Sequence, residues 1–267
     1  MSLEARDVEV WRGRGRVAGP LSLEVRPGEV LAVVGPNGAG KSSLLAALSG
    51  ELRCKAGDVF LEGRALHEWP SVERAQRLGV LLQESSLGFG FTALEVAVLG
   101  RSPHARRGGE ASDLEVARAA LDATDTQHLA SRAYTTLSGG ERQRVQLARV
   151  LAQLWTRPAR GHRYLLLDEP TASLDLSHQH LVLERARAFA REGGAVLTVL
   201  HDLNLAARYA DRITVLDQGR CVETGTPAGV LTPDLIANTF GLRVEVVSRP
   251  DLPGPLVIPM GRAASLP

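Results

Sequence analysis

The sequence predicts an α/β fold in which a parallel sheet carries an antiparallel β edge and an inserted helical subdomain. Three observations lead there. The short, wholly apolar run Val30–Val34 passes through a glycine-rich loop into the helix-like residues 44–48. Strand, glycine loop, helix is how a parallel α/β unit begins. Two later runs, residues 164–167 and 195–200, repeat the continuous apolar pattern of strands buried on both faces. Between them and the first unit, the stretch from Thr92 to about Leu151 (ALEVAVLG, DLEVARAALDAT, GGERQRVQLARVLAQL) recurs at helical period with no clear strand, which makes it an insertion into the core.

The remaining elements follow the same logic. Residues 21–26 run into Pro27-Gly28 as a strand entering a turn, residues 57–63 (GDVFLEG) read as an edge hairpin strand, and residues 80–83 as another short strand. Residues 212–216 and 220–225 flank the turn Asp217-Gln218-Gly219 as a hairpin, and the tail after Arg249 is rich in Pro and Gly, the composition of a loosely held extension. The expected organisation is one domain over 1–248, with the helical subdomain at about 92–151 inserted in it, and a C-terminal extension over 249–267.

Composition narrows the function. The chain has 267 residues with 31 Lys+Arg against 30 Asp+Glu, a balance that argues against a nucleic-acid-coating protein. Apolar residues make up 44%, enough for a packed core and too many for a disordered chain. Cys54 and Cys221 form no CxxC pair, which suits a reduced compartment and offers no zinc site. The N-terminus, MSLEARDVEV, places charges where a signal peptide needs apolar residues. No apolar run approaches the roughly 20 residues that span a bilayer. The expectation is a cytosolic protein whose link to a membrane goes through a partner.

Two motifs carry chemistry. Gly35-Pro36-Asn37-Gly38-Ala39-Gly40-Lys41-Ser42, followed by Ser43, matches GxxxxGK[ST] in the strand-loop-helix context of a P-loop. Its glycines let backbone N–H groups turn toward phosphate oxygens, and the following helix adds positive potential at that end. Lys41 is suited to the β- and γ-phosphates and Ser42 to Mg²⁺, which makes ATP with Mg²⁺ the expected ligand pair. In the second motif, the apolar strand 164–167 delivers Asp168 and Glu169 at its C-terminal end, where open α/β sheets bind ligands. Asp168 suits the Mg²⁺ shell and Glu169 suits polarising a water for attack on the γ-phosphorus. A third segment, Ser138-Gly139-Gly140-Glu141, opens a helix with a hydroxyl and two small residues, a second anion site.

With these residues in place the chain resembles the ABC ATPases. Leu137-Ser138-Gly139-Gly140-Glu141 resembles their signature sequence, Gln83 their Q-loop glutamine, Ser173-Leu174-Asp175 their D-loop and His201 their switch histidine, in the family order over roughly residues 3–225. The resemblance implies a P-loop NTPase core of the ABC cassette type. It also implies a head-to-tail homodimer in which each ATP lies between one P-loop and the other copy's signature. His201 is then a γ-phosphate contact steadying the attacking water, and Gln83 a sensor of Mg²⁺ and water beside the permease contact. Adenine stacking falls to Trp11 or, on register, to Arg12; Trp11 reads equally well as a cover for the sheet edge.

Residues 91–104 and 201–211 are similar to segments of importers for large metal chelates. The longer linker 152–163, containing Trp155, Pro158 and His162, together with Ser177-His178-Gln179-His180, resembles the ATPase subunit of haem importers. What the resemblance implies is an ATP-hydrolysing subunit at the cytoplasmic face of the bacterial inner membrane. Its partners are two permease subunits and, indirectly, a periplasmic binder, with no nucleic acid. A ferric siderophore or cobalamin importer is the alternative, and a soluble non-transport ABC ATPase the lesser one. Residues 87–99, with Leu87, Phe89 and Phe91, are the expected permease-facing surface. His162, His178 and His180 are read as surface histidines rather than haem ligands.

Overall fold

The computed structural model describes residues 1–12, 15–83, 90–104 and 113–263, with the side chain of Arg12 outside that description. In chain order the strands are β1 Leu3–Arg12, β2 Gly15–Val25, β3 Val30–Val34, β4 Ala56–Leu61, β5 Arg64–Ala65, β6 Leu78–Leu81, β7 Tyr164–Asp168, β8 Ala195–Val199, β9 Arg212–Asp217, β10 Arg220–Gly225, β11 Leu242–Val247 and β12 Leu256–Arg262. The helices are α1 Lys41–Ser49, α2 Ser71–Ala75, α3 Ala93–Leu99, α4 Asp113–Ala123, α5 Gly139–Gln153, α6 Leu176–Arg191, α7 Leu203–Tyr209, α8 Pro227–Val230 and α9 Pro233–Phe240.

A six-stranded sheet in the order β10-β9-β3-β8-β7-β6 forms the core; its strands are parallel except for the edge strand β10. Strands β3, β7 and β8 are buried at every residue because both faces of this sheet are covered. Along β7 the side chains alternate between two cores. Tyr164 and Leu166 join the cluster that holds Leu44, Leu45 and Leu48 of α1 and the strands β1, β2 and β4, whereas Leu165 and Leu167 join the cluster of α3, α4 and α5. A four-stranded antiparallel sheet, β2-β1-β4-β5, forms the expected antiparallel edge. The insertion is helical in all its described regular elements, with α3, α4 and α5 packed on one another.

Strand β1 was not legible in the alternation. Leu3 and Ala5 are buried, then Val8 and Val10. The parity of the inward positions changes at Asp7, which sits at φ 48°, with a bulge in the pairing to β2 between Ala5 and Val8. One inserted residue flips the inward set, so a period-two reading breaks in the middle of the strand.

The expectation of a loosely held tail is corrected. After Arg249 the chain turns and returns as β12, pairing antiparallel with β11. Val257 is buried at 4% exposure. Its N–H donates to Asn204 Oδ1 (2.7 Å), and Asn204 Nδ2 donates to its carbonyl (3.1 Å). A single α7 side chain thus acts as one more strand partner for β12. The long linker is also tied down. Arg163 donates to the carbonyl of Leu154 (2.7 Å) and pairs with Glu192 (3.3 Å), and the His162 N–H donates to Glu62 Oε1 (2.6 Å).

Replacing Asn204 by Ala removes both bonds to Val257 and leaves two buried backbone groups unpaired, a cost of about 1–3 kcal/mol each when unrelieved. The expected outcome is faster amide exchange across residues 242–263 with the parallel core still protected. Unchanged exchange there would show that the β11-β12 pairing holds the tail without α7.

Candidate functional site

Five segments converge at the C-terminal edge of the parallel sheet. The loop after β3 and the first turn of α1 form a cleft of about 250 Å³ lined by residues 37–43, Val17 and Glu169. Gly40 caps α1 at φ 95°, and a Cβ there would stand 2.5 Å from the Val17 carbonyl oxygen, so no larger residue fits the turn. Lys41 is buried at 6% exposure, and its ammonium donates to the carbonyls of Gly35 (2.8 Å) and Pro36 (3.0 Å). Burial holds its pKa below the usual lysine range, while the carboxylates of Glu169 and Asp168 pull it back up.

Asp168 ends β7 and is equally buried. Desolvation raises its carboxyl pKa, against the lowering effect of the Ser42 hydroxyl, which donates to Asp168 Oδ1 at 3.2 Å. A serine hydroxyl and a carboxylate side by side at the mouth of an anion-binding loop form the hard oxygen set that Mg²⁺ takes, usually with several of its waters retained. The donor chemistry fits that ion.

Glu169 follows in the left-handed region, at φ 47°. The backbone reversal turns its side chain away from that of Asp168, and its carboxylate lies between two neighbours. Gln83 Nε2 donates to Oε2 at 2.8 Å, and His201 Nε2 stands 2.6 Å from Oε1. The three residues follow three adjacent strands, β6, β7 and β8, whose ends are in register: Leu81 is opposite Leu167, and Leu167 opposite Thr198. Gln83, Glu169 and His201, which are far apart in sequence, therefore meet in one cluster.

The signature segment adds the fifth element. Ser138 caps α5 in a full capping box: its hydroxyl accepts from the Glu141 N–H (3.3 Å), and Glu141 Oε2 accepts from the Ser138 N–H (2.7 Å). That N–H, and then the hydroxyl, hold the Glu141 carboxyl below its ordinary pKa. Ser138 and Gly139 are exposed, so the N-terminus of a 15-residue helix faces outward. A Cβ on Gly140 would stand 3.1 Å from both the Ser173 carbonyl and Leu174, so the signature turn and residues 173–175 share one surface. Asp175 caps α6.

Sequence reasoning missed Gln143. Its Nε2 donates to the backbone carbonyl of Glu169 at 3.0 Å, tying α5 to the end of β7. The only signal was its place one turn after the signature, on a helix whose facing surface the sequence did not reveal. Trp11 is not brought to the cleft: Lys55 stands 3.7 Å over its ring, its Nε1 lies 3.5 Å from Glu9, and the β-edge residue lining the cleft is Val17. The Arg12 side chain, Leu87 and Phe89 lie outside the described residues. Phe91 packs against the helical core instead of standing free. His162, His178 and His180 each have a protein partner, at Gly193, Asp175 and Tyr209 respectively. Among the described residues no group of three or more His, Cys, Asp or Glu is placed to hold a metal, and no helix is long and apolar enough to cross a membrane.

Comparison with known proteins agrees with this geometry. The chain is 71% identical to a hemin import ATP-binding protein of Myxococcus xanthus over the full length of both. It is 56% identical to one from Gloeobacter violaceus over 92% of this chain and 90% of that one. Among solved structures, an inward-facing metal-chelate type ABC transporter superposes with a TM-score of 0.78 at 27% identity over 97% of each chain. A dimeric bacterial ABC transporter cassette superposes at 0.73 and 25% identity, over 85% of this chain and 99% of that one. The sequence model of the ABC transporter family matches residues 18–172, and the chain belongs to that family as an ATP-binding cassette.

Proposed function

We propose that this chain energises haem import as the ATP-hydrolysing subunit of an ABC transporter, two copies acting together beneath a pair of permease subunits at the cytoplasmic face of the inner membrane. Full-length similarity to hemin import ATP-binding proteins supports the cargo. Similarity to a dimeric cassette supports the pairing. A periplasmic haem binder delivering cargo to the permease completes the scheme. Residues 1–248 are assigned as the ATPase domain, with 249–267 an extension that returns to it through β12.

The catalytic reading rests on the Glu169 carboxylate held between Gln83 and His201. A carboxylate fixed from both sides is oriented to accept a proton from an attacking water. His201, half-exposed beside Glu169, would meet the γ-phosphate, and Gln83 holds the same carboxylate from the other side. Backbone N–H groups of residues 37–43 hold the phosphates in the loop opened by Gly35 and Pro36, with Lys41 exchanging loop carbonyls for phosphate oxygens. Ser42 and Asp168, with Gln83 beside them, would hold Mg²⁺, which neutralises phosphate charge when bound. The Ser138-Gly139-Gly140 turn, exposed at Ser138 and Gly139, serves the nucleotide of the second copy, because the P-loop already occupies the first.

Glu169→Gln is expected to keep ATP binding and slow turnover about 10²–10⁴-fold, accumulating an ATP-bound dimer on gel filtration. Turnover near that of the unaltered protein would remove Glu169 from the base role. Ser138→Arg is expected to leave ATP binding to the isolated monomer intact while blocking dimer closure and hydrolysis. Loss of monomer binding would overturn the cross-dimer assignment. Cells lacking this subunit are expected to fail on haem as sole iron source yet still take up ferric siderophores and cobalamin; the reverse pattern would move the cargo to those chelates and leave the ATPase reading standing.

A further inference from the structure

One half-buried histidine outside the catalytic cluster stands between two carboxylates from different parts of the fold. His178, in the first turn of α6, places Nδ1 at 2.8 Å from Asp175 Oδ1 and 2.9 Å from Asp175 Oδ2. Its Nε2 faces the other way, 3.6 Å from Asp125 Oδ2. Asp125 belongs to the helical insertion, just beyond α4. It is held there by Arg144 of α5, which donates to its backbone carbonyl (2.7 Å), stands 3.5 Å from its carboxylate and donates to the Thr124 carbonyl (3.1 Å). Arg144 is buried at 5% exposure and lies six residues beyond Ser138 on the same helix.

A polar chain therefore runs from the signature helix through Arg144 to Asp125, across 3.6 Å to His178, and on to Asp175. Both of its ends lie on one surface, since Gly140 packs against Ser173 and Leu174. The signature turn and the segment 173–175 thus present one shared surface. Only when both ring nitrogens carry protons does an imidazole donate on two opposed sides of a rigid ring, and so span two carboxylates that a flexible side chain would leave unjoined.

We propose that His178 is a positioning residue for hydrolysis: it locks the segment 173–175 to the signature helix, so that the two elements of one copy that reach the other copy's nucleotide move as one body. The inference rests on the proposed cross-dimer reading of Ser138. It assigns His178 no contact with ATP and no haem ligation. It predicts an effect on the closed, hydrolysing dimer and none on the nucleotide affinity of the monomer.

The test uses the full chain, with steady-state ATPase kinetics beside ATP binding to the monomer. Each arm of the bridge is a partly exposed charge contact, worth up to roughly fivefold. His178→Ala is expected to lower kcat about fivefold or more, with monomer Kd for ATP unchanged within about twofold. Asn and Gln separate the arms. Asn places an amide near the Nδ1 position and keeps Asp175; Gln reaches toward the Nε2 position and keeps Asp125. Because the bridge needs both, neither His178→Asn nor His178→Gln is expected to restore kcat. Asp125→Asn keeps the backbone carbonyl that Arg144 holds and suits the positive φ of that residue. It is expected to lower kcat to a similar extent, with no further loss in the Asp125→Asn/His178→Ala double variant. Full rescue by Asn would reduce His178 to a helix cap. Additive losses in the double variant, or His178→Ala turnover within twofold of the unaltered protein, would overturn the bridge. Should Ser138→Arg abolish ATP binding to the monomer, the underlying cross-dimer reading falls instead, whatever the His178 variants do.

Discussion

The site depends on the parallel register of β6, β7 and β8. Leu81, Leu167 and Thr198 stand level, so the chain leaves all three strands at the same height. Gln83, Glu169 and His201 come within hydrogen-bond distance through that alignment, together with the left-handed backbone at Glu169. A slip of one residue in β7 would send Leu165 and Leu167 toward the α1 core and Tyr164 toward the helical core, and would carry Glu169 out of the cluster. The register is therefore fixed by the two apolar clusters that β7 feeds on its opposite faces. Hydrophobic packing sets the geometry of this cluster, and the polar contacts report it.

The helical insertion is bound to this edge by polar contacts as well as apolar ones. Gln143 reaches the Glu169 carbonyl, Gly140 admits residues 173 and 174, and Arg144 fixes Asp125 beside His178. All three come from the first two turns of α5. The same helix presents its N-terminus to the surface. That N-terminus and the end of β7 are therefore joined by the Gln143 hydrogen bond. Charge is also concentrated here: Lys41 and Asp168 are both buried, each paying desolvation, and each partly offsets the other's penalty.

The features of the sequence that point toward haem relatives have local structural roles. His162 anchors the linker through its N–H to Glu62, Arg163 spans the linker's two ends, His180 meets the Tyr209 hydroxyl, and His178 bridges two carboxylates. Each group is engaged within this chain.

The sequence by itself determined the P-loop, the strand-borne Asp168 and Glu169, the signature turn, the helical character of the insertion and the buried strands of the core. These are local: glycine spacing, continuous apolar runs and helical period are written within a few residues. It also located Gln83 and His201, by resemblance to a family. Only the tertiary structure decided that both bond the Glu169 carboxylate, that Gln143 ties α5 to β7, that Lys55 covers Trp11 and that the tail returns as β12. Those outcomes depend on which strands lie side by side and which helix faces meet. Residues 83, 169 and 201 have no local reason to meet. The order β6, β7, β8 brings them together, and that order is set by how the whole chain buries its apolar faces.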